Sequence, residues 1–455
     1  MKKESKWISS SLIMTHFDGW PPQRLGVCGL DENSEARFNR ESPSGKRMSV
    51  TVRKQMRTLE RASRDRNERS RTPRFFELFP DRAYWTEAWR RVKENHGRAG
   101  VDGMSVEQFE ARLDDKLTRL WRDLEAMTYH PWPLLELNVE ESIYAGAAGR
   151  PGGKGELLKR KQRFLRIPTV RDRVAQAALL QIVGPWIEEQ LEACSFGYRQ
   201  GRGVRDAVEE VRKWHVRGFQ HLVDADIDGF FDNVDHGRVL DRFRRAIEVP
   251  LRVALLKRLN GEQTIPGNRP VRPSPNPARQ RRIEAGDDDF EKTVGRIGSE
   301  LTGWITMWVQ AEVWDGEKIT WLKRGLPQGS VISPVLANLF LDELDEALLA
   351  QNLKLVRYAD DFVILCKTPR QAEQALRLTE QKLAQLHLGL NRSKTSIRKF
   401  DDSFKFLGVF FWKDLTMLPF EKRIRERRVL SLPPPLPAKL AKRYGQGKLG
   451  TDTFS

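Results

Sequence analysis

Two short apolar runs that carry aspartates constrain this chain more than any other feature: HLVDADIDGFF over His221–Phe231 and KLVRYADDFVILCK over Lys354–Lys367. Both are rich in Val, Ile, Tyr and Phe and short, so strands are favoured over helices. In the first, Asp224, Asp226 and Asp228 fall at alternate positions, and alternate side chains of a strand share one face. Like charges so placed repel unless solvent covers them or cations neutralise them. In the second, apolar arms flank Ala359-Asp360-Asp361, the pattern of a hairpin with acids at or beside its turn. Two acidic sites on adjacent strands would suit a pair of hard divalent cations, which take carboxylate and phosphate oxygens. Ordinary turn and solvent-face acids give the same local pattern, and the aspartates alone leave both readings open.

Around these strands the period is helical. Apolar residues recur at helical spacing between Phe75 and Met127, as in Val106, Phe109, Leu113, Leu117 and Leu120. Further helices are expected over Thr169–Leu191, Asp235–Leu259, Pro334–Leu349 and Pro369–Leu388. Strands and hairpins alternating with helices indicate an α+β core. The stretch Gly261–Gly298 breaks the order with five prolines, a basic cluster and Asp287-Asp288-Asp289. It is expected as an insertion or loop.

Charge sharpens the class. The 455 residues hold 79 Lys and Arg against 62 Asp and Glu, a net +17. Arg37–Arg74 has 13 basic and 4 acidic residues, and Lys159–Arg173 has 7 basic residues and one acid. These two patches hold nearly all the excess, which makes a polyanion the first partner to consider. Three widely separated cysteines, Cys28, Cys194 and Cys366, offer neither a disulfide framework nor a zinc site. No window is long and apolar enough for a membrane span, and a cytoplasmic protein is expected.

Four runs, RIPTVRDRVAQAAL (Arg166–Leu179), DADIDGFFDNVDH (Asp224–His236), GLPQGSVISPVLANLFLDELD (Gly325–Asp345) and RYADDFVILC (Arg357–Cys366), together resemble the reverse transcriptases of bacterial group II introns and their free-standing relatives. NHGRAGVDG (Asn95–Gly103), SFGYRQGRG (Ser195–Gly203), LGLNRSKT (Leu388–Thr395) and FKFLGVFF (Phe404–Phe411) extend the resemblance in the family's order. A lone Tyr-x-Asp-Asp is a weak signal, whereas eight ordered motifs are specific.

The resemblance implies an RNA-directed DNA polymerase of α+β class: a right hand with helical fingers, a ferredoxin-like palm and a rudimentary thumb. On that plan residues 1–75 are a basic arm, 76–200 fingers, 201–260 the first part of the palm, 261–302 an insertion, 303–412 the second part with the YADD hairpin, and 413–455 a short tail or rudimentary thumb. Asp226, Asp360 and Asp361 match the catalytic carboxylates, and with Ile227 the positions holding two Mg²⁺ ions, for which Mn²⁺ could substitute. Phe231 matches the aromatic against the sugar of the incoming nucleotide, where a ring would crowd a 2′-hydroxyl. Gln328 matches a pocket-lining residue, Arg163 and Arg173 match residues gripping the triphosphate, Lys394 a lysine near primer and nucleotide, and Gly408 the hairpin supporting the primer end.

The implied partners are an RNA template, a DNA or RNA primer and deoxynucleoside triphosphates, with no membrane. Only 44 residues follow Phe411, against the thumb, maturase and DNA-binding segments of a full intron-encoded protein. A domesticated enzyme serving CRISPR spacer acquisition with an integrase complex, or another phage-defence system, is therefore expected. The alternative is an RNA-binding maturase-like cofactor or degenerate retroelement protein with a vestigial polymerase site. Where many relatives have glycine before Ile-Pro, this chain has Arg166.

Overall fold

A computed structural model describes residues 82–146, 154–259, 288–413, 415–417 and 424–444. The basic arm expected over 1–75 lies outside the described residues, as does 260–287 of the proline-rich stretch. The described residues divide into two compact units, one of those within 82–247 and 300–444, the other of 248–259 and 288–299.

The first unit opens with helices α1 (Arg82–Glu94), α2 (Val106–Glu110) and α3 (Leu113–Glu125). Their amphipathic spacing buries Val106, Phe109, Leu117 and Leu120, as the sequence predicts. Ser105 caps α2 through a reciprocal capping box with Gln108. A long antiparallel pair follows, β1 (Leu134–Gly146) and β2 (Lys154–Ile167), in a region expected to be helical. The high charge of both strands hides their period. In the folded chain the charges pair across the register, Arg166 Nε to Glu136 at 2.9 Å and Arg163 to Glu141 at 3.3 Å.

Helix α4 (Val170–Glu188) is buried on nearly every side, so its sequence is apolar all round. Thr169 caps it, and the buried Asp172 carboxylate accepts bonds from the Thr169 and Tyr129 hydroxyls and the Trp132 amide. Helix α5 (Val204–Val216) leads into β3 (His221–Asp226), α6 (Phe230–Asn233) and α7 (His236–Leu259).

Helix α8 (Asp288–Val309) takes up residues 288–298 of the segment expected as a loop. Its 22 residues keep an apolar face through Val294, Ile297, Leu301, Trp304 and Trp308, all buried. Proline density upstream obscures that period. Within the second unit Arg252 bonds Glu291 at 2.6 Å, and Leu251, Leu255, Val294 and Ile297 are buried.

After β4 (Glu312–Trp314) and β5 (Ile319–Trp321) come α9 (Ser333–Leu349), β6 (Lys354–Tyr358), β7 (Asp361–Cys366), α10 (Pro369–Gln385) and β8 (Ser396–Lys399). β6, β7, β3 and β8 form one antiparallel four-stranded sheet in that order. α5 packs against β6 and β7, and α10 against β3 and β7. Phe362–Cys366 is buried at every residue. Coverage on two faces explains why this strand is an unbroken apolar run rather than an alternating one.

β9 (Phe404–Phe406), β10 (Val409–Trp412) and β11 (Leu415–Met417) make a small antiparallel meander, with Gly408 at φ +86° in the first turn. The segment expected as a tail or rudimentary thumb then returns to the first sheet. β12 (Ile424–Ser431) pairs antiparallel with β1, and α11 (Ala438–Ala441) follows. Leu436 and Tyr444 bury against Val101, Trp132 and Trp314, and Trp314 Nε1 donates to the Pro434 carbonyl at 2.8 Å.

Candidate active site

The hairpin between β6 and β7 turns at Ala359 and Asp360, with Ala359 at φ +58°, a left-handed conformation an alanine adopts only when its surroundings enforce it. The enforcement comes from inside. Arg357, fully buried, donates through Nη1 to the Ala359 carbonyl and to Asn338 Oδ1, each at 3.0 Å. Its other nitrogens meet both oxygens of buried Asp345, at 2.8 and 2.5 Å. Asn338, also on α9, donates in turn to the Gly197 carbonyl at 2.7 Å. A Cβ at Gly197 would lie 2.6 Å from the Ala359 amide nitrogen, so the Ser195–Gly203 motif needs glycine where it passes the turn.

That turn delivers two carboxylates to a third. Asp226, the last residue of β3, is the direct register partner of Asp361, the first residue of β7, and the Ile227 amide donates to the Asp360 carbonyl at 3.3 Å. Asp224 and Asp226 occupy alternate positions of β3 as expected. Asp228 does not join them: β3 ends at Asp226, and Asp228 is exposed with its amide bonded to the Gly389 carbonyl at 2.9 Å. The expected row of three is therefore a row of two.

The electrostatics are those of crowded acids. Burial, reinforced by the charges of Asp224, Asp226 and Asp360, pushes the Asp361 carboxyl up to about 7. Burial, with Asp226 nearby, raises Asp224 to about 6. Burial and Asp226 also raise Asp360, against the pull of Lys394 and Arg163. The Lys394 ammonium answers part of this field from 2.5 Å off Asp226 Oδ2, with Arg163 and Arg398 acting from further away. Among the described residues no three His, Cys, Asp or Glu side chains converge closely enough to hold an ion unaided. A donor set of adjacent carboxylates with excess negative charge, open to added phosphate oxygens, nevertheless fits the hard-cation chemistry of Mg²⁺. Ile227, apolar and buried, has only its backbone carbonyl to contribute.

A second wall faces these acids. Gly229, left-handed at φ +52°, starts the one-turn helix α6, which carries Phe231. The Phe231 ring meets Tyr198 edge-on at 6.4 Å and Phe230 at 5.4 Å. The Phe231 carbonyl accepts from the Leu326 amide at 2.6 Å, and the Gln328 carbonyl accepts from the Arg166 amide at 2.9 Å. The half-buried Gln328 side chain makes no hydrogen bond among the described residues. Phe231, the loop bearing Gln328 and the end of β2 are thus laced together through backbone. Arg163, on β2, is near enough to Asp360 to lower its pKa.

Residues 282–411 match the reverse transcriptase (RNA-dependent DNA polymerase) family. Asp360 and Asp361 lie inside that span, and Asp226 reaches them through the β3–β7 register. The chain is thus similar to reverse transcriptases, a group II intron-encoded protein among them. It is 26% identical over 380 residues to Protein YkfC of Escherichia coli (strain K12), covering 74% of this chain and 82% of that protein. It is 23% identical over 313 residues to the group II intron-encoded protein LtrA of Lactococcus lactis subsp. cremoris, covering 68% of this chain and 41% of LtrA. Among solved structures, a chain of a partial Cas6-RT-Cas1–Cas2 complex aligns over 70% of this chain and 42% of its own length, at 22% identity and a TM-score of 0.33.

Arg173, expected to grip a triphosphate, is buried on α4, with Nη2 donating to the Arg98 carbonyl at 2.6 Å. A Cβ on Gly97 would sit 2.0 Å from its Nη1, so the Asn95–Gly103 loop closes directly over the guanidinium. Burial lowers its pKa to about 10, against the pull of Asp102 and Asp172. Arg173 supports a loop, while Arg163 pairs with Glu141 and its charge lowers the Asp360 pKa. Two residues with clear roles escape the sequence reading. Tyr198 lies in the Ser195–Gly203 motif, and burial and the charge of Asp360 raise its hydroxyl pKa to about 12. Arg357 stands beside the YADD run, where an arginine reads as surface until its burial is known.

Proposed function

We propose that this protein is an RNA-directed DNA polymerase that copies RNA into cDNA by nucleotidyl transfer between a primer 3′-hydroxyl and a deoxynucleoside triphosphate. The observation that carries the reading is the junction of Asp226 with the Asp360-Asp361 turn at the paired ends of β3 and β7. In right-hand terms the β6-β7-β3-β8 sheet is the palm, residues 82–200 belong to the fingers, and the β9–β10 turn at Gly408 is the primer support.

In the reaction the primer 3′-oxygen bonds to the α-phosphorus, the bond from that phosphorus to the bridging oxygen breaks, pyrophosphate leaves and the hydroxyl proton passes to solvent. Asp226, Asp360 and Asp361, with the Ile227 carbonyl, would hold two Mg²⁺ ions. Such ions, when bound, activate the attacking oxygen and stabilise the leaving one. Arg163 would meet the triphosphate. Lys394 neutralises Asp226 until substrate arrives. Phe231 and Gln328 would line the sugar pocket, the ring excluding a 2′-hydroxyl.

Purified protein given primed RNA, deoxynucleoside triphosphates and Mg²⁺ should extend the primer, with Mn²⁺ as a test substitute. No extension on several templates with either ion would contradict the reading and favour an RNA-binding cofactor. The proposed setting, CRISPR spacer acquisition or another phage defence, rests on the sequence reading, and the neighbouring genes test it. An integrase gene alongside would support it, and flanking intron RNA would contradict it. Among the described residues no helix is long and apolar enough to cross a membrane.

A further inference from the structure

One side chain joins the two walls of the sugar pocket. Arg166 is the penultimate residue of β2, and its side chain is only 17% exposed. Nε donates to Glu136 Oε2 at 2.9 Å, which holds the group on the sheet, and Nη1 reaches Asp232 Oδ1 at 3.4 Å. Asp232 directly follows Phe231 on α6. The main chain of Arg166 serves the same junction from the other side: its amide donates to the Gln328 carbonyl, and its carbonyl lies 3.1 Å from where a Cβ of Gly329 would be.

α6 has few restraints of its own. It is four residues long, starts from a left-handed glycine and has no side-chain cap at its N-terminus. Arg324 secures its far end, donating to the Asn233 carbonyl at 2.8 Å and to the His387 carbonyl at 2.8 Å. Arg166 secures the residue next to Phe231. A helix this short cannot hold itself, so the position of the Phe231 ring depends on these ties together with the Leu326–Phe231 backbone bond and the buried Phe230.

We propose that Arg166 is a positioning residue for sugar discrimination: by bridging Glu136 on β1 and Asp232 on α6, it fixes the Phe231 ring against the Gln328 loop. The inference rests on the polymerase reading for its consequence and on the Arg166–Asp232 contact for its mechanism. A glycine at position 166 could supply the backbone contacts but not the bridge.

The test uses the full chain with Arg166→Met, which keeps the apolar stem, Asp232→Asn, which leaves the Glu136 contact intact, and the double variant. Steady-state single-nucleotide insertion of dGTP and GTP on one primed RNA gives the discrimination ratio. Amide hydrogen exchange over residues 229–234 reports the tie without requiring activity. Each single variant should lower the dGTP:GTP preference by about five-fold, the effect of one partly exposed charge pair. The loss should appear in KM more than in kcat, exchange over 229–234 should quicken, and the double variant should be no worse than Arg166→Met. Arg166→Lys, retaining charge, should recover part of the preference. Unchanged exchange in Asp232→Asn overturns the tie whether or not the protein polymerises. Faster exchange with unchanged preference overturns its role in discrimination. Absence of extension by the unaltered chain counts against the polymerase reading instead, and exchange still decides the contact.

Discussion

The two larger sheets of the first unit manage charge in opposite ways. In the β6-β7-β3-β8 sheet the decisive pair, Arg357 with Asp345, is fully buried and directed at one strained turn. In the sheet built on β1 the pairs lie between strands and grade outward to the surface, from Arg166 with Glu136, 17% and 22% exposed, to Arg160 with Glu140 at 3.5 Å, where the arginine is 59% exposed. A buried pair adds little net stability but becomes indispensable once both partners are desolvated, whereas an exposed pair is nearly dispensable. The first sheet has the exactness a catalytic turn requires. The second ends in exposed charge, as at Arg160.

The contrast can be broken at several points. Asp345→Ala strands the Arg357 guanidinium without its partner and should cost about 3–5 kcal/mol in denaturant unfolding. Tyr444→Ala removes an aromatic that packs on Trp132 at 5.7 Å and donates to Glu312, and should cost about 3 kcal/mol. An unchanged midpoint there would detach the C-terminal segment from the β1 sheet.

Proton linkage gives the next effect. Asp361 is raised from 3.8 to about 7 and Asp224 to about 6, so between about pH 4 and 7 the folded protein binds more protons than the unfolded chain. Metal-free stability should therefore fall as pH rises through that window and stay low above it. Thermal melts at pH 5 and pH 8 should show the loss, Mg²⁺ should reverse it at pH 8, and Asp361→Asn should flatten it. The smallest effect belongs to the surface: Arg160→Gln should change stability by less than about 0.5 kcal/mol.

These contrasts also mark what the sequence made legible. β3 and β7 are apolar runs with acids at their ends, so the strands follow from pattern, while the meeting of Asp226 with Asp360 and Asp361 is what the family resemblance implies. β1 and β2 escape it because their residues are charged for cross-strand pairing, which is invisible until the register is known. β12 escapes it because Glu140 and its register partner Arg428 lie far apart in the chain. Arg173 and Arg357 show the limit of reading charge as exposure: both stand in polar motifs, and both are buried against carbonyls that only the fold assembles.

The central claim is that the carboxylates at the β3–β7 junction perform nucleotidyl transfer. Primer extension on RNA by Asp361→Asn, alongside the unaltered protein in saturating Mg²⁺, tests it most directly. The expected result is a loss of about a thousand-fold or more, with circular dichroism unchanged. Extension within a few-fold of the unaltered protein would contradict it.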